Sequence, residues 1–333
     1  MGAHLDKPIT EKENYESEAH GLKFGAAAMQ GWRVEMEDAH TIVETIDPEL
    51  DGHSFIAVYD GHGGQYSAIY CGEHMVSFLK KTKGFEDYKK TRDVTHLRSA
   101  IHAAFLDLDE VLKRQDEFVS KQDTSGCTAI CAIITPTHVV VGNAGDSRGV
   151  IFSSDGAKQL SRDHKPYLDD ERKRIEEAGG MVSMQRVDGD LALSRSIGDF
   201  QYKDRHLPPE RQKVTAVPEI EIHTRNAGKD EMLLLACDGV WDVCENEEAG
   251  QILKEVLNDG ETRMALVAEE LLDQCLFRYS KDNISAVVVG FEGMARHAKE
   301  GEGVEGRRRR RQQQEEGGGR GGSGGSGDEA ESS

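Results

Sequence analysis

Cations are scarce in this 333-residue chain: 41 Lys and Arg face 61 Asp and Glu, a net charge of −20. Phosphate backbones are held by a surplus of Lys and Arg, so a general nucleic-acid binder is excluded and no nucleic-acid partner is expected. Long apolar runs are missing too. None approaches the length that spans a bilayer, and Met1 to Thr10 lacks the charged-then-apolar pattern of a secretory leader. The expectation is a protein kept inside the cell, in the cytoplasm and/or the nucleus. There is no Cys-x-x-Cys pair, and Cys71, Cys127, Cys131, Cys237, Cys244 and Cys275 lie mostly in apolar stretches. Reduced, buried thiols suit that distribution better than a disulfide framework or a zinc site. Cys127 and Cys131 are four apart, as helical ligand pairs are, but Thr128, Ile130, Ile133 and Ile134 mark a strand and make the thiols core. No Walker-type Gly-x-x-x-x-Gly-Lys-Ser/Thr loop and no kinase catalytic-loop set is present, so nucleotide use has no support.

What is present is enough for a large core: 37% of residues are hydrophobic, which at this length predicts one large domain or two ordinary ones. Composition changes near residue 292. Residues 293–333 hold 12 glycines and almost no large apolar side chain, with a five-arginine run, Arg307 to Arg311, followed by Gln and Glu. The division expected is a folded unit over 1–292 and a disordered Gly/Arg/Glu-rich tail over 293–333. The tail carries 8 basic and 8 acidic residues, so the net charge belongs to the folded part. Its arginines suit nuclear import or anion binding, with a solvated linker as the plainer alternative.

Short β-branched runs bounded by Gly, Asp or Pro predict strands at 55–59, 127–134, 139–141, 149–152, 232–237 and 284–291. Apolar stripes at helical spacing run from Ser67 to Leu79, from Leu97 to Leu112, from Ile252 to Leu257 and from Leu266 to Leu276. The helices therefore come in adjacent pairs rather than alternating with strands, which favours an α+β layered sandwich, mostly antiparallel, over a doubly wound sheet. A further helix is predicted at Asp169 to Ala178, with acids at its start and Gly179-Gly180 beyond its end, as part of a flap between strand groups.

Several strand-like runs end in an acid followed by glycine. Ala57-Val58-Tyr59 leads into Asp60-Gly61-His62-Gly63-Gly64, and Leu234-Leu235-Ala236-Cys237 into Asp238-Gly239-Val240-Trp241-Asp242. A rigid strand can hold a carboxylate at the rim of a core, and a following glycine frees the backbone to turn so that its carbonyl also reaches a ligand. Asp146 sits at the turn of an expected hairpin, Asp282 precedes the last strand, and Glu37 and Asp38 close an acidic run headed by Arg33. Singly, each Asp-Gly is a turn signal. Together, carboxylates without matching histidine or thiolate ligands suit hard divalent cations, Mg²⁺ or Mn²⁺. Two such ions clamp an in-line displacement at phosphorus, and with no nucleotide motif hydrolysis is preferred over transfer. Arg33 and Arg186 are candidates to orient a phosphate, and His62, beside Asp60, to protonate the leaving alkoxide.

The strings Gly31-Trp32-Arg33-Val34-Glu35-Met36-Glu37-Asp38-Ala39-His40, Asp60-Gly61-His62-Gly63-Gly64, Thr124-Ser125-Gly126-Cys127-Thr128-Ala129, Gly145-Asp146-Ser147-Arg148, Asp163-His164-Lys165-Pro166, Leu193-Ser194-Arg195-Ser196-Ile197-Gly198-Asp199, Asp238-Gly239-Val240-Trp241-Asp242 and Asp282-Asn283 follow one another in order. From 20 to 291 the chain resembles the metal-dependent protein serine/threonine phosphatases of type 2C. The resemblance implies a four-layer αββα sandwich, two antiparallel sheets flanked by helix pairs, with the family's flap near 165–182. It implies that Asp60 bridges two Mn²⁺ or Mg²⁺ ions, with the Gly61 carbonyl on one of them and Asp238 and Asp282 on the other. Glu37 would reach the metals through water, Asp38 would hold the metal-associated water, and Asp146 and Asp242 belong to a weaker third metal. Arg33 would bind the phosphate and His62 act as general acid, with no phosphoenzyme, on phosphoserine and phosphothreonine proteins. Two other readings stand beside this one: a non-catalytic docking platform, which would have lost metal ligands, and an aspartyl-phosphate nucleophile in Asp188-Gly189-Asp190, for which a turn is the simpler account. A monomer is expected. Membrane attachment is expected only if Gly2 is myristoylated, and position 6 is Asp where that signal prefers Ser or Thr.

Overall fold

Strands whose residues are apolar on both faces must be covered on both faces, and the computed structural model, described here for residues 4–297 and 299–318, does this with four layers. One sheet has six antiparallel strands in the order His4–Ala19, Leu22–Arg33, Ile284–Gly290, Asp230–Ala236, Arg148–Ser153 and Gly156–Gln159. The other has five: Glu219–Thr224, His138–Ala144, Ala129–Ile134, Ser54–Tyr59 and Ala39–Val43. Alternation along single strands builds three cores. Leu233 and Leu235 pack between the sheets with Ile56, Val58, Ile130 and Val287. Met232, Leu234 and Ala236 face the helices Asn246–Asn258 and Met264–Phe277. Phe55, Ala57 and Tyr59 face the helices Tyr66–Lys81 and Thr95–Leu112 on the far side. The α+β sandwich expected from the pairing of helices is therefore the observed fold, and all six cysteines are free and buried.

Two long strands have no counterpart in the sequence-based expectation. His4–Ala19 is a charged edge strand, and its solvent-facing row gives no apolar alternation. Leu22–Arg33 is central, but its Gly25-Ala26-Ala27-Ala28 stretch is too small to register as an apolar run. The reason is a close approach of backbones: a Cβ on Gly25 would lie 2.1 Å from the Met264 carbonyl carbon and 2.2 Å from the Ala265 nitrogen. Glu16, on the edge strand, caps that same helix start, accepting from Met264 N at 3.1 Å and from Ala265 N. The expected strand 127–134 is interrupted at Thr128, whose N–H turns to the Asp60 carbonyl at 2.9 Å.

The C-terminal segment also departs from expectation. Residues 303–318 form a helix where composition predicts no structure. Val304 enters the core under the second helix pair, and Arg307, Arg308 and Arg311 pair with Glu269 and Glu270. Ion pairs and one buried apolar residue thus take the part that an apolar stripe plays elsewhere. The remainder of the tail, 319–333, lies outside the described residues. Among the described residues no helix is long and apolar enough to cross a membrane.

The Gly25 contact gives a direct test. Gly25→Ala drives a methyl into helix backbone that cannot move without displacing the second helix pair, so it is expected to lower stability by about 3 kcal/mol in urea unfolding followed by tryptophan fluorescence. A loss under about 0.5 kcal/mol would contradict the packing described.

Candidate active site

Strand ends from both sheets converge at one rim of the sandwich. Asp60 follows Ser54–Tyr59, Asp238 follows Asp230–Ala236 after Cys237, Asp146 lies between His138–Ala144 and Arg148–Ser153, and Asp282 precedes Ile284–Gly290. Ligand oxygens of Asp60, Asp146 and Asp238 all lie within 4.8 Å of one another. Thr128 ties two of these turns together: its hydroxyl accepts from Asp60 N at 3.4 Å and meets Ser147 Oγ at 2.6 Å.

Glycine is needed at both Asp-Gly steps for a reason other than turning. A Cβ on Gly61 would lie 2.1 Å from the Glu37 carbonyl oxygen, and one on Gly239 would lie 2.1 Å from the Asn283 carbonyl oxygen. Neither glycine has a positive φ. The expectation of a freely turning backbone is corrected accordingly: the missing side chain lets the acidic loop and the last strand press onto the strand ends.

The 30–37 loop is held by Asn283, whose amide donates to Gln30 O at 2.9 Å and Glu35 O at 3.0 Å, while its Oδ1 accepts from Glu37 N at 3.0 Å. Glu37 in turn accepts from Gly64 N at 2.6 Å. Arg33 Nη2 donates to Asp282 Oδ2 at 2.7 Å. Burial works against the Arg33 charge, but Asp282, Glu37 and Asp60 outweigh it and raise its pKa. Asp38 is half-buried, with Oδ2 accepting from Ser285 Oγ at 2.6 Å, and its shielded Oδ1 has no partner. Burial lifts its pKa to about 7.

Burial, followed by mutual repulsion, pushes Asp60 and Asp238 well above the carboxylate range; Asp242 is pushed up as well, by desolvation and by Asp146 and Asp282. Lys165 donates to Asp146, and the surrounding carboxylates hold its pKa up against burial. Carboxylates clearly outnumber the cations here, the donors are all oxygen, and the unpartnered Asp38 Oδ1 belongs to a carboxylate close enough to Asp60 to help raise its pKa. That set fits hard divalent cations.

His62 sits beside these carboxylates. Its Nε2 lies 2.7 Å from Asp199 Oδ2, and Ser196 Oγ donates to the same oxygen at 2.5 Å. Burial lowers the His62 pKa, but Asp199, then Asp146 and Glu37, raise it further than burial lowers it. Asp199 adopts φ 51° after Gly198, and Gly126 leaves room for the pair, since a Cβ there would lie 2.1 Å from Asp199 Oδ2. Sequence reasoning had Asp199 inside a motif without a role; its signal was the Ile-Gly-Asp step at the end of that string.

Arg186 is not brought to the carboxylates. It lies on the hairpin Val182–Ser183/Arg186–Val187 and donates to Asp190 O. Asp188-Gly189-Asp190 forms a tight turn just after this hairpin, closed by the Val187–Leu191 bridge, with φ 51° at Asp188 and 80° at Gly189, as the simpler of its two readings has it. With the helix Asp169–Glu177 it makes a flap around a small core of Ile175, Val187 and Val214, extending beyond 182. Glu171 anchors it: it is 1% exposed, receives Arg195 Nη2 at 2.6 Å and Arg174 Nη1 at 2.8 Å, and is held down at a pKa of about 2 by those arginines against burial.

Comparison with known proteins agrees with this geometry. The sequence model of the family described as Protein phosphatase 2C matches residues 22–284. The chain is 41% identical over 321 residues to protein phosphatase ppm-1.A of Caenorhabditis elegans, covering 91% of this chain and 67% of that one. It is 40% identical over 304 residues to human protein phosphatase 1A, covering 90% and 78%. A solved structure described as a phosphatase from a pathogenic strain of Toxoplasma gondii superposes with a TM-score of 0.71 at 28% identity, over 85% of this chain and 96% of that one. The fold and site define a metal-dependent phosphomonoester hydrolase. The chain belongs to the protein phosphatase 2C family, and it is a protein serine/threonine phosphatase dependent on Mn²⁺ or Mg²⁺.

Acids whose pKa is raised by folding carry a stability cost that is absent below the ordinary carboxylate range and complete above the raised value. For Asp38 that window runs from about 4 to about 7. The metal-free protein should therefore lose stability as pH rises through this window, and Mn²⁺ should restore it. Asp60→Asn removes one of the repelling charges, so in EDTA at pH 7.5 its Tm is expected to equal or exceed that of the unaltered chain, while the rise in Tm on adding Mn²⁺ disappears. A full Mn²⁺ shift in that variant would remove Asp60 from the metal-holding set.

Proposed function

We propose that the carboxylate centre carries out the phosphatase reaction with the roles assigned residue by residue here. The observation that carries the reading is the convergence of Asp60, Asp146 and Asp238, with Arg33 and His62 on either flank. Asp60, the Gly61 carbonyl, Asp238 and Asp282 would hold two Mn²⁺ or Mg²⁺ ions, Glu37 would act through water, and Asp146 and Asp242 would serve a weaker third. When bound, the ions supply Lewis acidity and a water acidic enough to act as nucleophile at neutral pH. Asp38 would accept a hydrogen bond from the attacking water through its unpartnered Oδ1 and orient it. Arg33, already held by Asp282, presents a guanidinium to the phosphate of phosphoserine or phosphothreonine. Attack at phosphorus breaks the ester bond, and the proton the alkoxide needs comes from His62. With Nε2 committed to Asp199, delivery falls to Nδ1. Both products leave without a covalent phosphoenzyme. Arg186 on the flap would meet the incoming phosphoprotein rather than the reacting centre.

The reading extends to setting. Six free thiols suit a reducing compartment, and we place the protein in the cytoplasm and/or the nucleus as a monomer acting on phosphoproteins. Gly2 lies outside the described residues, and myristoylation there remains the condition for any membrane association.

Phosphate release from a phosphothreonine peptide is expected to cease in EDTA, to return with Mn²⁺ or Mg²⁺, and to fall at least about 10³-fold in Asp60→Ala or Asp238→Ala. Normal turnover in either variant would overturn the site assignment. His62→Gln is expected to cost about 10²-fold or more on the phosphopeptide and less than about tenfold on p-nitrophenyl phosphate, whose leaving group needs no proton. Equal losses on both substrates would remove His62 as the acid. Asp199→Asn takes away the partner that raises the His62 pKa, so the alkaline limb of the kcat profile should move to lower pH. An unmoved limb would leave Asp199 with a structural part only.

A further inference from the structure

Away from the carboxylate rim, on the outer helix layer, lies a second concentration of acids that the phosphatase reaction does not use. Glu269 and Glu270 stand side by side on the largely apolar helix Met264–Phe277; Glu270 is fully buried and Glu269 nearly so. The helix Gly303–Gly318 covers them, together with Asn14 of the edge strand, which donates to Glu269 Oε1. Arg307 Nε is 3.2 Å from Glu270 Oε1 and its Nη1 is 2.7 Å from Asp259 Oδ2. Arg311 Nη2 donates to Glu270 Oε2 at 2.9 Å, and Arg308 Nη2 pairs with Glu269 and lies 3.6 Å from Asp273. Positions 304, 307, 308 and 311 share one helical face, so Val304 goes into the core while the three arginines meet the acids. Arg309 and Arg310 are the more exposed pair, at 61% and 54%, and each reaches Glu302 at 3.6 Å.

Loose attraction between a basic tail and an acidic body does not explain the entry of this helix. Gly303 N donates to Asp259 O at 2.7 Å, and Val304 N donates to Glu261 Oε2 at 3.3 Å, a carboxylate cap supplied from another part of the chain. A Cβ on Gly301 would lie 2.1 Å from Asp259 O, and Gly303 needs φ +57°. Backbone fit, an apolar anchor and buried bidentate-type pairing occur together, which is what a specific docking site has and a solvated linker lacks.

We propose that the groove between Asn246–Asn258 and Met264–Phe277, lined by Asp259, Glu261, Glu269, Glu270 and Asp273, is a docking site for arginine-rich helical segments of partner proteins, closed in cis by residues 301–311. The partner carries a small apolar residue followed at the third, fourth and seventh positions by arginine. Such a segment binds by displacing the chain's own helix, so affinity is set by competition between the two. The site shares no residue with the carboxylate centre, and the inference stands independently of the catalytic roles above.

The test uses the full chain carrying Arg307→Ala, Arg308→Ala and Arg311→Ala together, and a fluorescent peptide of residues 299–313. By anisotropy in low salt, the variant is expected to bind the peptide at least tenfold more tightly than the unaltered chain, with affinity falling steeply as salt rises. Adding Glu270→Gln to the variant should cost at least tenfold. A peptide of the same composition with its order scrambled should bind at least tenfold more weakly. Equal binding by variant and unaltered chain, indifference to Glu270→Gln, or equal binding of the scrambled peptide would each overturn the proposal, the last by reducing it to attraction toward a protein of charge −20. Circular dichroism melts confirm that both variants are folded before binding is read. A dimer of the unaltered chain that the arginine substitutions dissolve would assign the groove to a second copy and overturn the closed-in-cis arrangement. Tight binding of an oligonucleotide by the unaltered chain, lost in the variant, would make the arginines an anion-binding element and overturn it equally.

Discussion

Crowded carboxylates that repel one another are the constraint around which this molecule is organised. A protein fold does not gather Asp60, Asp146, Asp238 and Asp282 at one rim without cost, since each loses water and faces like charge. They are kept together by elements that cannot yield. Each strand end projects from a sheet covered on both faces, so moving the carboxylate means moving a strand out of two cores. The close contacts at Gly61 and Gly239 then lock the acidic loop and the last strand against those ends. The cost is recovered when cations bind, so stability and metal affinity draw on the same repulsion.

The surrounding polar groups follow from that constraint. Asn283 fixes the loop bearing Arg33, Glu37 and Asp38 with three bonds, so that loop is positioned by the turn that carries Asp282 into the last strand. His62 is held from the opposite side, through Asp199 and Ser196, by a segment that continues from the flap. Arg195, in that same string, pins the flap helix through the buried Glu171. A carboxylate kept at a pKa of about 2 contributes stability that is complete above the ordinary range near 4.5 and lost only as pH falls toward 2. The flap anchor is thus indifferent to pH where the carboxylate centre is sensitive to it.

Much of the arrangement was legible before the structure because its signals are local. Strands buried on both faces appear as short apolar runs, helix pairs as stripes, and carboxylates at strand ends as Asp-Gly steps. What escaped was decided by contacts distant in sequence. Leu22–Arg33 is a central strand made of small residues because Met264 and Ala265 press on Gly25. The need for glycine at 61 and 239 comes from carbonyls at 37 and 283, and the bond from Asp199 to His62 spans 137 residues. Arg186 shows the reverse case: its residue type suits a phosphate, yet the hairpin that carries it turns its guanidinium to Asp190 O.

The C-terminal helix shows most clearly where composition stops being a guide. Low apolar content predicts disorder because a segment must bury apolar surface to offset its ordering entropy. Residues 303–311 bury little of it beyond Val304. They are ordered by charge, and the charges that order them belong to Asp259, Glu269 and Glu270, two of them placed inside a helix that is otherwise mostly apolar. An isolated pair of acids within an apolar stripe would be a costly defect in a core helix. Set opposite three arginines on one helical face, it becomes half of a recognition surface. The tail and the groove are therefore one feature read from two distant places in the sequence, and neither half is interpretable without the other.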